Sequence, residues 1–557
     1  MDFNHYFTND EIAHLLDEWV ATYPGLIQVS SIGSSHEGRP IWLLTLTNQS
    51  TGTDMEKPAI WIDANIHATE ITGTTSAMYI MHHLLTGYGT DEQITRQLDQ
   101  SVYYIVPRVN PDGAGWAMAP IPRYVRSGVR PYPWEEKDEG LFTQDINGDG
   151  KILQMRFQDP NGDWKISSLD PRLMEKRPLN ESGGIYFRLL PEGLLEDYDG
   201  YIVKMARPME GLDFNRNFPF EWRTEGEQDG AGPFPASEPE TRALVDFVVK
   251  HPNINLAITF HTFSGVILRP YSTKSDDDMN TDDLWVYKKI GELGTKITGY
   301  RCLSTFHDFK YHPKEVATGA FDDWMYDHLG IFTYTIELWD LPTEAGIKDR
   351  KLIEWWREHP HEEDLQILKW IDEHGASDAY MDWQPYDHPQ LGKIELGGWN
   401  TMYTWRNPPL EFAESVVKNQ YPYILSLGDL LPHLSIHSLN IDKLGEDKFH
   451  LNLVVENSGF LPSYTSQQSK SRKSSRPVRV ELELADGVVL TSGKHREELG
   501  HLEGRSNKLE VTTYFADSPT DNRARLEWVI QATAGSKIKL KILSERAGLI
   551  SREITLQ

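Results

Sequence analysis

Five short runs of β-branched and aromatic residues constrain this chain more than any motif it carries. Pro40–Leu46, Ala59–Ala64, Val102–Val106, Ile254–Phe260 and Phe332–Ile336 are apolar at most positions, not at alternate ones. That is the pattern of strands buried on both faces. Segments with helical periodicity separate them: Thr74–Leu85, Leu284–Ile297, Gly346–His374, and a stretch ending near Lys250. The last opens on Ser237 as N-cap, with Pro239 just inside and Glu240 at the capping-box position. Strands alternating with helices predict an α/β fold over residues 1–375, a mixed, mostly parallel central sheet flanked by helices.

Two stretches depart from that rhythm. Residues 114–210 are rich in Pro, Gly, Arg and Asp and read as a long insertion of loops. Residues 376–430, with Trp383, Trp399 and Trp405, read as an irregular connecting segment. From residue 431 to 557 only short strand-like runs remain, at 449–455, 478–484, 508–514, 526–530 and 538–543. Their hairpin-like spacing predicts a separate all-β sandwich of the immunoglobulin-like kind. Its Ser- and Lys-rich stretch 463–476 reads as a mobile loop.

Composition excludes several classes. A chain of 557 residues is too long for one core. A net charge of −28 argues against general nucleic-acid or anionic-membrane binding, which needs a basic footprint. The single cysteine, Cys302, excludes a disulfide scaffold and a Cys-based zinc finger. No run of about 18 apolar residues predicts a membrane span. The N-terminus lacks a basic and apolar leader, which predicts a cytoplasmic protein, or a secreted one if a signal has been removed.

His-x-x-Glu spacing occurs at His67/Glu70, His312/Glu315, His359/Glu362 and His495/Glu498. Only the first directly follows an apolar strand and precedes a helical run, where open α/β sheets place their functional groups. His261 and Glu337 end two further strands. Two His and one Glu can hold Zn²⁺ with a position left open, and a carboxylate in an apolar setting is suited to act as a base. Asn215-Arg216 offers an amide and a guanidinium fork for a carboxylate, or simply turn residues.

Taken together and in order, these strings resemble the zinc carboxypeptidase family, the carboxypeptidase A and B type enzymes. Tyr23-Pro24, Gly33–Pro40, His67-x-x-Glu70, Asn110-Pro111-Asp112-Gly113, Asn215-Arg216, His261 and Glu337-Leu338 carry the resemblance over residues 5–345. It implies zinc ligands His67, Glu70 and His261, and Glu337 as the base. It also implies Asn215 and Arg216 as the clamp for a terminal carboxylate, and an oxyanion-stabilising Arg following Asn110. Arg123, Arg126 and Arg130 are the candidates for that Arg, with Arg130 favoured. The implied substrate is a peptide, or an acyl amino acid, with a free carboxylate. Alternatives are an amidase or deacylase of small or cell-wall-derived acyl amino acids, and an inactive binding protein of this fold.

Around the motifs the sequence differs from the family habit. Ala68 and Thr69 stand between the ligands, where the family often has Arg. The family's substrate-capping Tyr would fall near Glu315, with Tyr311 the nearest tyrosine, and Trp339 stands where the family often has a second Arg. Asp322, in Ala317–Trp324, matches the carboxypeptidase B position that selects basic terminal residues, or else it caps a helix. Within the insertion, Asp145-Ile146-Asn147-Gly148-Asp149-Gly150 repeats the start of a calcium loop. Arg156 replaces its usual Glu, so Asp159, Asn161 and Asp163 are the expected further oxygen donors for structural Ca²⁺, the alternative being Asx turns.

Overall fold

The computed structural model describes residues 1–312, 314–506 and 519–557. All five predicted strands form, in one eight-stranded sheet. Its spatial order is Ile27–Ser34, Pro40–Leu46, Val102–Val106, Ala59–Ala64, Ile254–Thr262, Phe332–Leu338, Val266–Arg269, Arg301–Ser304. The four strands at its centre run parallel, and antiparallel pairs lie towards the edges.

Strand alternation distributes the helices over both faces. Trp61 meets Phe247 of the helix Pro239–Lys250, whereas Ala64, three residues on, lies against Gly73 of the helix Thr72–Gly87. A Cβ on Gly73 would sit 3.2 Å from Ala64 Cβ and Phe260 Cβ, so that helix rests directly on the centre of the sheet.

Several sequence expectations are corrected. The helix read from Ser237 starts at Pro239 with Glu238 as its cap residue, and Ser237 Oγ donates to the Glu238 carboxylate, 2.7 Å away. The segment read as one helix over Gly346–His374 is two, Leu352–Arg357 and His361–His374. Pro360 separates them, because proline disfavours helix in the residue before it and cannot donate to the preceding turn.

The segment 376–430 is not irregular. It contains strands Tyr380–His388 and Gly392–Trp399, a π-type turn Met402–Arg406 and the helix Ala413–Gly428. Its strands join the 114–210 insertion in one six-stranded sheet, with Leu396 opposite Met155 and Glu395 opposite Arg156. The insertion is therefore a sheet too, built from strands too short to show a period in the sequence.

Among the described residues, the C-terminal part is a sandwich of two four-stranded antiparallel sheets. Phe449, Leu451, Trp528 and Ile530 of one sheet share a core with Val480, Leu482, Leu540 and Ile542 of the other. The expected strand at 508–514 lies outside the described residues. The stretch 463–476 is a docked segment, not a free loop: Ser463, Thr465, Ser466 and Ser469 are buried, and Gln467–Arg472 is a helix. No helix among the described residues is long and apolar enough to cross a membrane.

Candidate active site

His67 and Glu70 lie on the turn after the strand Ala59–Ala64. Asn65, in the left-handed region at φ 60°, bends the chain there, and its amide donates to His67 O at 2.7 Å. Asn110 caps the helix Pro111–Ala117 and donates to Ser127 O at 2.7 Å, while Asp112 accepts from Arg39, Ser35 and Glu37. A Cβ on Gly113 would lie 2.7 Å from Ala68 Cβ, so this string packs tightly against the ligand turn. The Asn-Pro-Asp-Gly string is thus scaffold.

His261 ends the neighbouring strand, and Glu337 stands opposite it in register on the next. His67 Nδ1 is 3.0 Å from His261 Nδ1 and 3.0 Å from Glu70 Oε1, and His261 Nδ1 is 3.1 Å from Glu70 Oε2. Among the described residues this trio is the one group of three or more His, Cys, Asp or Glu side chains close enough to hold a metal. Its donor set fits zinc: two imidazole nitrogens and a carboxylate converge at about the spacing of ligands around a tetrahedral ion, roughly 3.3 Å for bonds of 2.0–2.1 Å. His67 Nε2 lies 3.1 Å from Asp213 Oδ1, a contact that leaves Nδ1 as the lone-pair nitrogen.

Glu337 is buried, which pushes its pKa up to about 8; the His261 side opposes that rise and the Glu70 charge adds to it. A carboxyl tuned towards neutrality suits proton transfer. Arg126 reaches in from the insertion with Nε 3.0 Å from Asp213 and Nη1 3.1 Å from Glu70. Burial would raise the Asp213 pKa, but Arg126, Arg216 and His67 hold it well below the usual carboxylate range. Arg130, favoured from the sequence, is instead paired with Glu238 at 2.8 and 2.6 Å and is absent from the cavity lining. Only three residues lie between the two arginines, on a stretch without regular structure, and only the fold could decide between them.

One cavity of about 170 Å³ is lined by His67, His261, Glu337, Arg126, Asn215, Arg216, Tyr311 and Asp322. Asn215 Oδ1 accepts from Phe321 N at 2.8 Å, which ties the loop to the Asp322 helix. Asp322 is not a helix cap, since Ala320 holds that position. It is buried, accepts from Thr335 Oγ1 at 3.3 Å, and burial raises its pKa. Glu315 lines the mouth along with Tyr311, whose ring is exposed.

The calcium expectation finds no support among these side chains. Asp145 accepts from Gly148 N and Gly150 N, and Asn147 from Asp149 N, as Asx turns do. Asp159 and Asp163 are held by Arg188 at 2.9 and 3.3 Å, and Asp159 also accepts from Asn161 N. Asp213 and Arg406 were missed in the sequence. The first sits two residues before the Asn215-Arg216 string, and the second lies in the segment read as irregular.

Residues 12–360 match the zinc carboxypeptidase family profile, and residues 433–555 match one described as a domain of unknown function (DUF8731). Mouse carboxypeptidase A2 is 27% identical over 387 residues, covering 65% of this chain and 72% of that one. Carboxypeptidase B of Astacus astacus is 26% identical over 351 residues, covering 61% of this chain and 88% of its own length. The solved carboxypeptidase A of Helicoverpa armigera aligns with 18% identity and a TM-score of 0.42, over 68% of this chain and 76% of that one. With its ligand trio, buried Glu337 and a family match over most of its length, this chain belongs to the zinc carboxypeptidase family.

Proposed function

We propose that the protein removes single residues from the C-termini of peptides, with preference for Lys and Arg. The shared cavity carries this reading, because Arg216, Asn215, Asp322, Glu337 and two of the three ligands, His67 and His261, line one space. Arg216 and the Asn215 amide bind the terminal carboxylate. Asp322, at the buried end, pairs with a basic side chain and takes up its charge. Zinc, held by His67, Glu70 and His261, supplies Lewis acidity towards the scissile carbonyl. Glu337 accepts a proton from water and returns it to the leaving amine. Arg126 donates to the oxygen that gains negative charge. Tyr311 stands over the mouth as the closing side chain.

The test compares peptides that differ only in their last residue, incubated with zinc-loaded protein. Release of one C-terminal residue is expected, at least about 10-fold faster for Lys or Arg than for Leu, and Asp322→Asn should level that difference. Equal rates for Lys and Leu would reject the basic preference. Cleavage of acyl amino acids but of no peptide would favour an amidase.

A further inference from the structure

The cleft continues past Glu70, away from Asp322. A cavity of about 520 Å³ is lined by Glu70, Glu337, Phe263, Trp356 and Arg406, and a neighbouring one of about 590 Å³ by Tyr124, Phe263, Trp356, Trp405 and Arg406. Glu337 and Arg126 are common to the first of these and to the cavity holding Asp322. A chain whose terminal carboxylate sits at Arg216 therefore runs its acyl side into this groove.

Arg406 comes from beyond the family-matched residues 12–360, and the fold builds it into the site. Asn407 Nδ2 donates to Thr69 O at 2.7 Å, and Asn407 Oδ1 accepts from Thr72 N at 3.0 Å, so the turn is fastened on either side of Glu70. Trp339, directly after the strand that carries Glu337, donates from Nε1 to Thr404 O at 2.7 Å. The Arg406 guanidinium lies 5.6 Å from the Phe263 ring centre and 3.7 Å from Glu70 Oε1, too far for a hydrogen bond. Arg126 is already bonded to Asp213 and Glu70, whereas the Arg406 side chain makes no hydrogen bond among the described residues. It is a cation fixed at its base, held at its tip only by the long ion pair to Glu70 and not by a hydrogen bond, and walled by aromatic rings that lower the local dielectric.

We propose that Arg406 determines specificity on the acyl side of the scissile bond by binding the side-chain carboxylate of a Glu or Asp within two residues upstream. The proposal rests on the carboxypeptidase reading above. The experiment uses N-acetylated tripeptides that share a C-terminal residue and carry Glu, Gln or Lys at either upstream position. Wild type should show kcat/KM in the order Glu, Gln, Lys, with Glu about 10–100-fold above Gln at one position. Arg406→Gln should erase the Glu–Gln difference while leaving Gln peptides within a few-fold, and Arg406→Lys should keep part of it.

A wild type indifferent to Glu against Gln would overturn the proposal, as would an Arg406→Gln protein slowed equally on every peptide. Zinc content and melting temperature establish that the variants are folded, and the wild-type series decides by itself if Arg406→Gln is not. If wild type cleaves none of the peptides, the carboxypeptidase reading fails. Calorimetric binding of the same Glu and Gln peptides to zinc-loaded protein then still decides whether Arg406 selects a carboxylate.

Discussion

Glu337 and Glu240 are both buried carboxyl groups with raised pKa values, and they differ in what surrounds them. Glu337 lies beside His261 on the neighbouring strand and shares a cavity with Arg126 and Arg406. Glu337→Gln should bind zinc as wild type does and lose about 10²–10⁴-fold in kcat, since the amide cannot accept the proton. Retained turnover in a zinc-replete Gln variant would remove Glu337 from the base role. Glu240 is away from the cavity; it accepts from His36 N at 2.9 Å, and its Oε2 has no hydrogen-bond partner. Burial lifts its pKa from 4.5 to about 7. Between those values the native state holds a proton that the unfolded chain has released, so its contribution to stability falls as pH rises from about 4.5 to about 7. Glu240→Gln should flatten that decline by up to roughly 3 kcal/mol, read from urea unfolding at pH 5 and pH 7.5. Parallel pH profiles for the two proteins would show that Glu240 does not titrate in this range.

At the scale of elements, the site is made where strand ends meet turns. His67 and Glu70, His261 and Glu337 were legible because each follows an apolar run, and a parallel sheet gathers the carboxyl ends of its strands at one edge. Arg126 and Arg130 were not separable in the sequence. They lie on one non-repetitive stretch, and which side chain turns inward depends on Asp213 and Glu238, both distant in the chain. The Met402–Arg406 turn was invisible for the same reason. Asn407→Ala removes its ties to Thr69 O and Thr72 N and should cost about 1–3 kcal/mol of unfolding free energy. It should also weaken zinc retention against a chelator, because Thr69 and Thr72 flank Glu70. Wild-type zinc retention in this variant would mean that the turn does not brace the ligand loop.

For the whole molecule, the central strand Ile254–Thr262 links two poles. Its C-terminal end carries His261, and near its start Asn255 Nδ2 donates to Arg546 O of the sandwich at 2.9 Å. The helix Phe321–Leu329 does likewise, with Asp322 in the cavity and Gly330, just past its end, against Ser469. Gly330 has φ 67°, and a Cβ there would fall 2.3 Å from Ser469 N, a backbone atom that cannot yield cheaply. Gly330→Ala should therefore loosen the sandwich and split a single thermal transition into two. An unchanged scanning-calorimetry trace would show that the docking contributes little. Removing the metal acts at the other pole. At free zinc a thousandfold above Kd the ion adds about 4 kcal/mol, so chelation should lower the melting temperature, with zinc restoring it and calcium not. Recovery with calcium alone would revive the Asp145 loop as a metal site.

The α/β class, the sandwich, the ligand trio and Glu337 follow from local patterns: burial on both strand faces, short strand-like runs at hairpin-like spacing, and donors placed at strand ends. The rest required the folded chain. Segments 114–210 and 376–430 form one sheet, 463–476 packs against the catalytic part, and Arg126 rather than Arg130 faces Glu70. Each of these depends on partners far apart in sequence: 56 residues for Arg126 with Glu70, 184 for Gln467 with Asp283 and 239 for Arg156 with Glu395. Periodicity reports which face of an element is apolar, whereas the partner that face or charge meets is settled only when distant segments compete for the same space.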